Sequence, residues 1–435
     1  MGRLRISDDI VRHLSTFQRL GETVEVQLPG ELLPVGARTV FRAVRTRAAA
    51  QLGADWVWPY WLEQQLDPAA PAFIPRGHLP VLTNVTNRNW TAVGSLGSPW
   101  EAIVDPRGLV TPWFDGWSLD WWIGADDRWH FPSREVAVRQ GLVDNTPVVE
   151  TRLRIPSGDA VQRVYGVMGT EPLAVCEIEN DSPVPVAVVL VVRPYNPEGL
   201  AVVERIARHD RTVTVDGRPA LYLPRKPGRM AGSTFHEGDV VDRVRGGHAG
   251  DELPVLKDDV GLAQAAFVFP LPHRATLQVA MPLAPQRRTR RPAVARRRAG
   301  RATEVSFPLP SAADAARGWV KQTDRGMRLE LPDERLMAAV EDNRRFLLLF
   351  HDGTEITPGP YTYHRFWFRD AAFMLPALDR FGFHAEAAEV IADFPRRQHL
   401  DGFFFSQRQE WDANGAAIHA MAEHWRLTGS VDGLD

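Results

Sequence analysis

The apolar residues change their repeat once along this chain, near Pro310, and that change limits the possible folds more than any other feature. Before it the repeat is two. Val24, Val26 and Leu28 alternate with polar residues, as a half-buried strand requires. Val148 to Ile155 reads as a strand, Pro156-Ser157-Gly158-Asp159 as a turn, and Val161 to Val167 as the returning strand. Cys176 to Glu179, the turn Asn180-Asp181-Ser182-Pro183 and Val184 to Val192 read as a second hairpin. Turn residues recur about every ten residues, the rhythm of a β-sandwich. Neither a βαβ alternation nor a solenoid repeat is visible.

After Pro310 the repeat becomes helical. Ser311 to Asp324 reads as a linking helix. Pro332 to Phe350 places Leu336, Val340, Phe346, Leu347 and Phe350 at helical spacing, with Asp333 as N-cap. A second helix is expected from Asp370 to Phe381, with Phe373, Met374, Ala377, Leu378 and Phe381 as its stripe. Pro376 should kink it and Gly382 suits its C′ position. A third runs from Ala385 to Phe394. A fourth follows Ser406, which forms a capping-box pattern with Gln409; its stripe is Trp411, Ile418, Met421, Ala422 and Trp425, and Gly429 ends it. These make two helical hairpins. The chain therefore divides into a β-sandwich over 1–310, a linker helix over 311–330 and helical hairpins over 331–435, an α+β multidomain class. The connection from His351 to Arg369 is too long for a simple helix–helix link, and long ordered loops are commonly functional.

Composition removes several functions. Lys and Arg total 51 against 54 Asp and Glu, a net charge of −3, so the chain is no general polyanion binder and no nucleic acid is expected as partner. Eight arginines crowd Gln286–Arg301; without interleaved aromatics they read as a solvated loop. The single Cys176 excludes an intramolecular disulfide and a thiolate-rich zinc site, and its apolar neighbours mark it as a small core residue. No apolar run approaches about 18 residues and no signal-type apolar segment opens the chain, so no membrane span is expected and the location is taken as cytoplasmic. No His-Glu-x-x-His, Gly-x-Ser-x-Gly or phosphate-binding loop is present, so neither metal nor cofactor is expected. Ten of the 14 tryptophans lie between Trp56 and Trp129. Such residues stack on sugar faces when exposed, but large aromatics more often fill a wide sandwich core.

Two stretches carry chemistry. In Tyr361-Thr362-Tyr363-His364-Arg365-Phe366-Trp367-Phe368-Arg369-Asp370, aromatics surround an Arg-Asp pair at a helix start. Flat apolar faces suit the CH side of a sugar ring. A guanidinium fork and a carboxylate suit paired hydroxyls. The plain alternative is that Asp370 only caps its helix. The second stretch runs from Asp401 to Gly415 and contains Gln409-Glu410-Trp411-Asp412. Glu410 and Asp412 are two apart and do not share a helix face, so one can face a site while the other pairs elsewhere. Acidic residues in a first turn are also ordinary dipole partners.

Trp367-Phe368-Arg369-Asp370, Gly382-Phe383, the segment Gln409–Gly415 and Glu423-His424-Trp425-Arg426-Leu427-Thr428-Gly429 together resemble the bacterial six-hairpin glycosidases, glucoamylase-like and glycogen-debranching-like. The resemblance implies an N-terminal β-supersandwich followed by an incomplete (α/α)6 toroid, acting on α-linked glucans or oligosaccharides. It implies that Arg369 and Asp370 bind hydroxyls of the terminal sugar, with Trp367, Gln409 and Trp411 lining the same pocket. Glu410 and Asp412 are the carboxylates available as acid and base, although that family carries its acid and base on later loops. Inverting hydrolysis needs two carboxyls roughly 6.5–9.5 Å apart. A glycoside phosphorylase of the same architecture and a non-catalytic carbohydrate-binding protein are the alternatives. A closed toroid has twelve helices. A second chain or a further C-terminal segment would supply the remaining ones, leaving the stripe around Ile418, Met421 and Trp425 exposed here.

Overall fold

The computed structural model describes residues 90–113, 116–197, 199–283, 305–360, 364–407 and 410–430. The expected strand at Val24–Leu28, Trp56, Trp58 and Trp61, the arginine-rich stretch and Gln409 lie outside the described residues.

Two large antiparallel sheets form the first part. One runs, in spatial order, through Thr91–Val93, Ala102–Val104, Val110–Thr111, Ser118–Gly124, Val186–Arg193, Gln264–Leu271 and Arg229–Ser233, with Trp129–His130 beside Ser118–Gly124. The other runs through Leu256–Lys257, Arg205–His209, Thr212–Val215, Arg218–Tyr222, Thr276–Pro282, Pro172–Asp181, Gly158–Met168, Val149–Ile155 and Val138–Leu142. Their facing side chains share one core. Trp121, Leu190 and Phe267 meet Leu153, Val164, Cys176 and Val279 there. Cys176 is fully buried, and burial pushes its thiol up to about 12.

The first expected hairpin forms, with Ile155 opposite Gly158 and Leu153 opposite Ala160. The second does not. Pro172–Asp181 pairs with Gly158–Met168 and Thr276–Pro282, while Val186–Arg193 pairs in the other sheet. The turn between them carries the chain across the sandwich. Asn180 holds the crossing: its amide donates to Val184 O at 2.7 Å and to Pro272 O at 3.1 Å. Trp117, Trp121 and Trp122 are core residues; Trp121 faces between the sheets. Trp122 faces outward, under helix α1 (Val240–Arg245).

Helix α2 (Ala312–Thr323) packs on the outer face of the second sheet. Ser311 caps it and forms a capping box with Asp314. Its approach is fixed by a polar cluster. The Tyr165 hydroxyl lies 2.7 Å from Pro310 O, and Glu177 Oε2 accepts from Ala312 N at 3.4 Å. Gln278 donates to Glu177 at 3.1 Å and accepts from Leu309 N at 3.0 Å. Tyr165→Phe should cost about 1 kcal/mol, the usual worth of one such bond, read as a lowered urea midpoint at constant m. No change would show that the cluster only accompanies the docking.

Four α-helices follow among the described residues: α3 (Glu334–Leu349), α4 (Phe368–Arg380), α5 (His384–Ile391) and α6 (Ala413–Thr428). Asp333 caps α3, accepting from Arg335 and Leu336 N, as the sequence implies. Gly382 and Gly429 adopt positive φ just past α4 and α6. Helix α4 runs through Pro376 without interruption. Inside the long connection sits a short hairpin, His351–Asp352 with Glu355–Ile356.

The apolar stripes hold in part: Phe346, Leu347, Phe350, Met374, Leu378 and Met421 pack in the helical core, but other positions differ. The buried face of α3 is Arg344, Arg345, Leu348 and Leu349, and Leu336 is exposed. Arg345 Nη1 donates to Asp144 O and Asn145 O at 2.8 and 2.7 Å, and Arg344 Nη2 to Thr323 O at 2.7 Å. Two guanidiniums thus tie α3 to the sandwich and to α2. The buried face of α6 is Ala413, Ala417, Ala420 and His424. Small residues let α6 approach α4 closely. Ile418 and Trp425 face outward, 59% and 51% exposed, and Phe373 of α4 is also exposed. None of the described helices is long and apolar enough to cross a membrane.

Candidate functional site

Helix α4 starts without a cap of its own. Trp367 is the N-cap residue, in extended backbone, and its side chain does not cap the helix. A first turn with free N–H groups and a positive dipole end must find acceptors elsewhere. The loop before α6 supplies them. Ser406 Oγ accepts from Phe368 N at 3.2 Å, and Glu410 Oε1 accepts from Arg369 N at 2.9 Å. The Ser406 hydroxyl donates in turn to Glu410 Oε2. Ser406 therefore does not open α6, which begins at Ala413; its hydroxyl serves α4 instead. Asp370 is not the N-cap either but lies in the first turn.

Further bonds lock the two segments together. Gln407 Nε2 donates to Phe366 O at 3.0 Å, while within the second segment Asn414 Oδ1 accepts from Phe404 N at 2.6 Å. Arg369 lays its fork on Asp412: Nε to Oδ2 at 2.6 Å and Nη2 to Oδ1 at 2.8 Å. This is the bidentate geometry that a rigid guanidinium favours.

The three carboxyls differ. Hydrogen bonding from Arg369 holds Asp412 below the usual carboxylate range. Burial raises Glu410, against the bonds from Ser406 and Arg369 N. Burial also raises Asp370, with the Arg369 charge opposing it and Asp412 adding to it. Asp412 has both oxygens on Arg369, and Glu410 has both in the α4 cap. Asp370 is half-buried and makes no ion pair among the described residues.

The sequence placed Arg369, Asp370, Glu410, Trp411 and Asp412 near one another, and the fold brings them to one helix end. Trp367 is buried there, whereas Trp411 is 81% exposed beside Asp412. Gln409 lies outside the described residues. The capping role of Ser406, the Phe366 anchor on Gln407 and the Asn414 acceptor were not read from the sequence. All three lie within the Asp401–Gly415 stretch, and no local pattern pairs them with residues some forty positions earlier or with Phe404. Among the described residues no group of His, Cys, Asp or Glu is arranged to hold a metal ion.

No family model matches the sequence, and no curated protein does. A solved structure titled "Putative kojibiose phosphorylase from human microbiome" matches with a TM-score of 0.41 and 7% identity. The match covers 78% of this chain and 49% of that one, so this chain spans about half that protein's length. A likeness at that level fixes neither the fold nor the chemistry of this chain.

Proposed function

We propose that this chain is a carbohydrate-active protein of the six-hairpin glycosidase type, with a supersandwich-like β-domain and the opening helices of an (α/α)6 toroid, taking α-linked glucans or oligosaccharides. The supporting observation is the end of α4. Arg369 is locked on Asp412 and Glu410 caps the helix, which leaves the half-buried Asp370 carboxylate without an ion pair among the described residues and an exposed Trp411 nearby. A carboxylate accepting two hydroxyls beside an aromatic platform is a sugar-binding arrangement.

The engagement of all four oxygens of Glu410 and Asp412 favours a second reading, in which this end of α4 binds sugar without cleaving it. Glu410, raised, and Asp412, lowered, have the opposed values an acid and a base need. Their partners make them positioning groups for Arg369 and the helix start.

Isothermal titration with maltose-type oligosaccharides tests the proposal. Asp370→Asn should weaken binding about 10–100-fold, the loss of one charge-assisted bond worth about 1.5–3 kcal/mol, with the melting temperature retained. Unchanged affinity with a lowered melting temperature would make Asp370 a dipole partner of α4 and remove the sugar reading. Glucose release from the same ligands separates the two readings: turnover lost in Asp412→Asn supports hydrolysis, and binding without turnover supports the second.

A further inference from the structure

Helix α6 turns outward the face opposite Ala413, Ala417, Ala420 and His424. That outward face is a seam of coiled-coil spacing, Gly415, Ile418, Ala422 and Trp425, and all four residues are exposed. Small and large residues alternate along it. Gly415 has no explanation within the chain. Glycine weakens a helix relative to alanine. Its φ is not positive, and a Cβ there would meet nothing within 4 Å. Neither its backbone nor a neighbour among the described residues therefore calls for a missing side chain. Ile418 and Trp425, meanwhile, leave apolar surface in water.

One arrangement accounts for both. A second α6 can lie antiparallel to the first, with the two-fold axis level with Ala420. Ile418 then stands opposite Ala422 of the second copy, and Gly415 opposite Trp425 of the second copy. Symmetry repeats both pairs, so large meets small at every seam position. A shift of one turn sets Ile418 against Trp425 in one direction and against itself in the other. A shift of two turns keeps the alternation but leaves half of the seam unpaired. A parallel pair sets each large residue on its own copy.

The rim charges agree with this register. Helices α4 and α6 run side by side in one direction, with Arg369 on Asp412 near the start and Arg380 on Glu423 at 3.0 Å further along. Arg426 lies on the same flank, bonded to Glu423. The two-fold axis keeps that flank on one side in both copies. Arg426 of one copy thus comes level with Asn414 of the other, beside that copy's Asp412, and no like charges are opposed. Phe373, one turn beyond Arg369, borders this flank and is 75% exposed. With Trp425, Ile418 and the polar rim it supplies about 600 Å² per copy, or about 1,200 Å² in all, where specific interfaces begin.

We propose that the outward face of α6 is a homodimer interface, in which two copies pack α6 against α6 antiparallel about an axis level with Ala420 and Gly415 is the socket for Trp425 of the second copy. The seam pairs use neither Asp370 nor Trp411, so the interface stands whether or not the end of α4 takes a sugar.

Sedimentation equilibrium of the full chain tests it. Between about 1 and about 100 μM, wild type should pass from monomer to a species of twice the chain mass. In Gly415→Leu the new side chain enters open space in the monomer, so the circular dichroism spectrum should be retained. It collides with Trp425 of the second copy, so the dissociation constant should rise about 10–100-fold. Trp425→Ala empties the socket and should weaken the dimer to a similar extent. The double variant Gly415→Leu/Trp425→Ala exchanges large for small and should recover most of the affinity, which only this register permits. A monomer throughout the range overturns the proposal, including one whose seam is covered by another segment of the chain. A dimer that neither single substitution weakens, or a double variant no tighter than the single ones, also overturns it. None of these readouts involves a sugar.

Discussion

Replacing Arg193 with methionine should remove about 3–5 kcal/mol of stability, the cost of leaving buried charges without their partner. Arg193 Nη1 donates to Asp239 Oδ1 at 2.6 Å and also to Gln264, and Nε donates to Asp120 Oδ2 at 3.4 Å. All three charged side chains are almost fully buried. Trp122 Nε1 completes Asp120 at 2.9 Å, Asp239 caps α1 through Val241 N, and the guanidinium lies over the Trp122 and Tyr195 rings. Burial already raises Asp120, with Arg193 as the main opposing influence. Without Arg193 the folded value of Asp120 moves further above its unfolded one. Its protonated form then relieves part of the deficit, so the loss should shrink as pH falls toward about 4. Urea titrations at two pH values measure it. A loss below about 1 kcal/mol, constant with pH, would mean that water replaces the guanidinium.

The repeat of two shows which residues point inward, but not which strand lies alongside. Val149–Ile155 and Gly158–Met168 were legible as neighbours because a tight turn leaves no other partner. Pro172–Asp181 and Val186–Arg193 have the same look, yet they belong to opposite sheets. The choice was made by Asn180, whose amide reaches carbonyls some ninety residues away. Such a bond has no local trace in a sequence.

The helices show a different limit. Reading a stripe weights large apolar residues, and α6 buries its small ones, because close contact with α4 requires them. In α3 the buried face includes two arginines whose heads reach carbonyls of distant turns, so an apolar stripe was the wrong signature for that face. At the candidate site the residue types were legible and their pairing was not. Arg369 and Asp370 are adjacent in sequence, but the Arg369 fork belongs to Asp412, and only that commitment sets Asp370 apart. Glu101 gave no signal at all. It is buried beside Gly94, which itself packs on Leu349 of α3, and only the packed chain shows this.

Phe368→Ala should also cost about 3–5 kcal/mol, and it should disturb the end of α4 as well as the core. The Phe368 ring is fully buried among three others, edge-on to Phe366 at 5.0 Å, Phe394 at 4.9 Å and Phe404 at 5.4 Å. These rings come from the strap before α4, the turn after α5 and the loop before α6. The Arg397 guanidinium closes the stack over Phe366 at 4.1 Å. The cluster is therefore what holds the strap against the loop that supplies Ser406, Glu410 and Asp412. Truncating its central ring leaves a cavity and removes three edge-on contacts, each worth about 0.5–1.5 kcal/mol beyond burial. The backbone N of the same residue bonds Ser406, so relaxation around the cavity should loosen the cap. The expected result is a lowered urea midpoint together with faster hydrogen exchange at Arg369 and Asp370. Phe368→Leu, which keeps most of the volume, should recover most of both. Destabilisation with unchanged exchange at Arg369 and Asp370 would show that the cap holds the site without help from the rings.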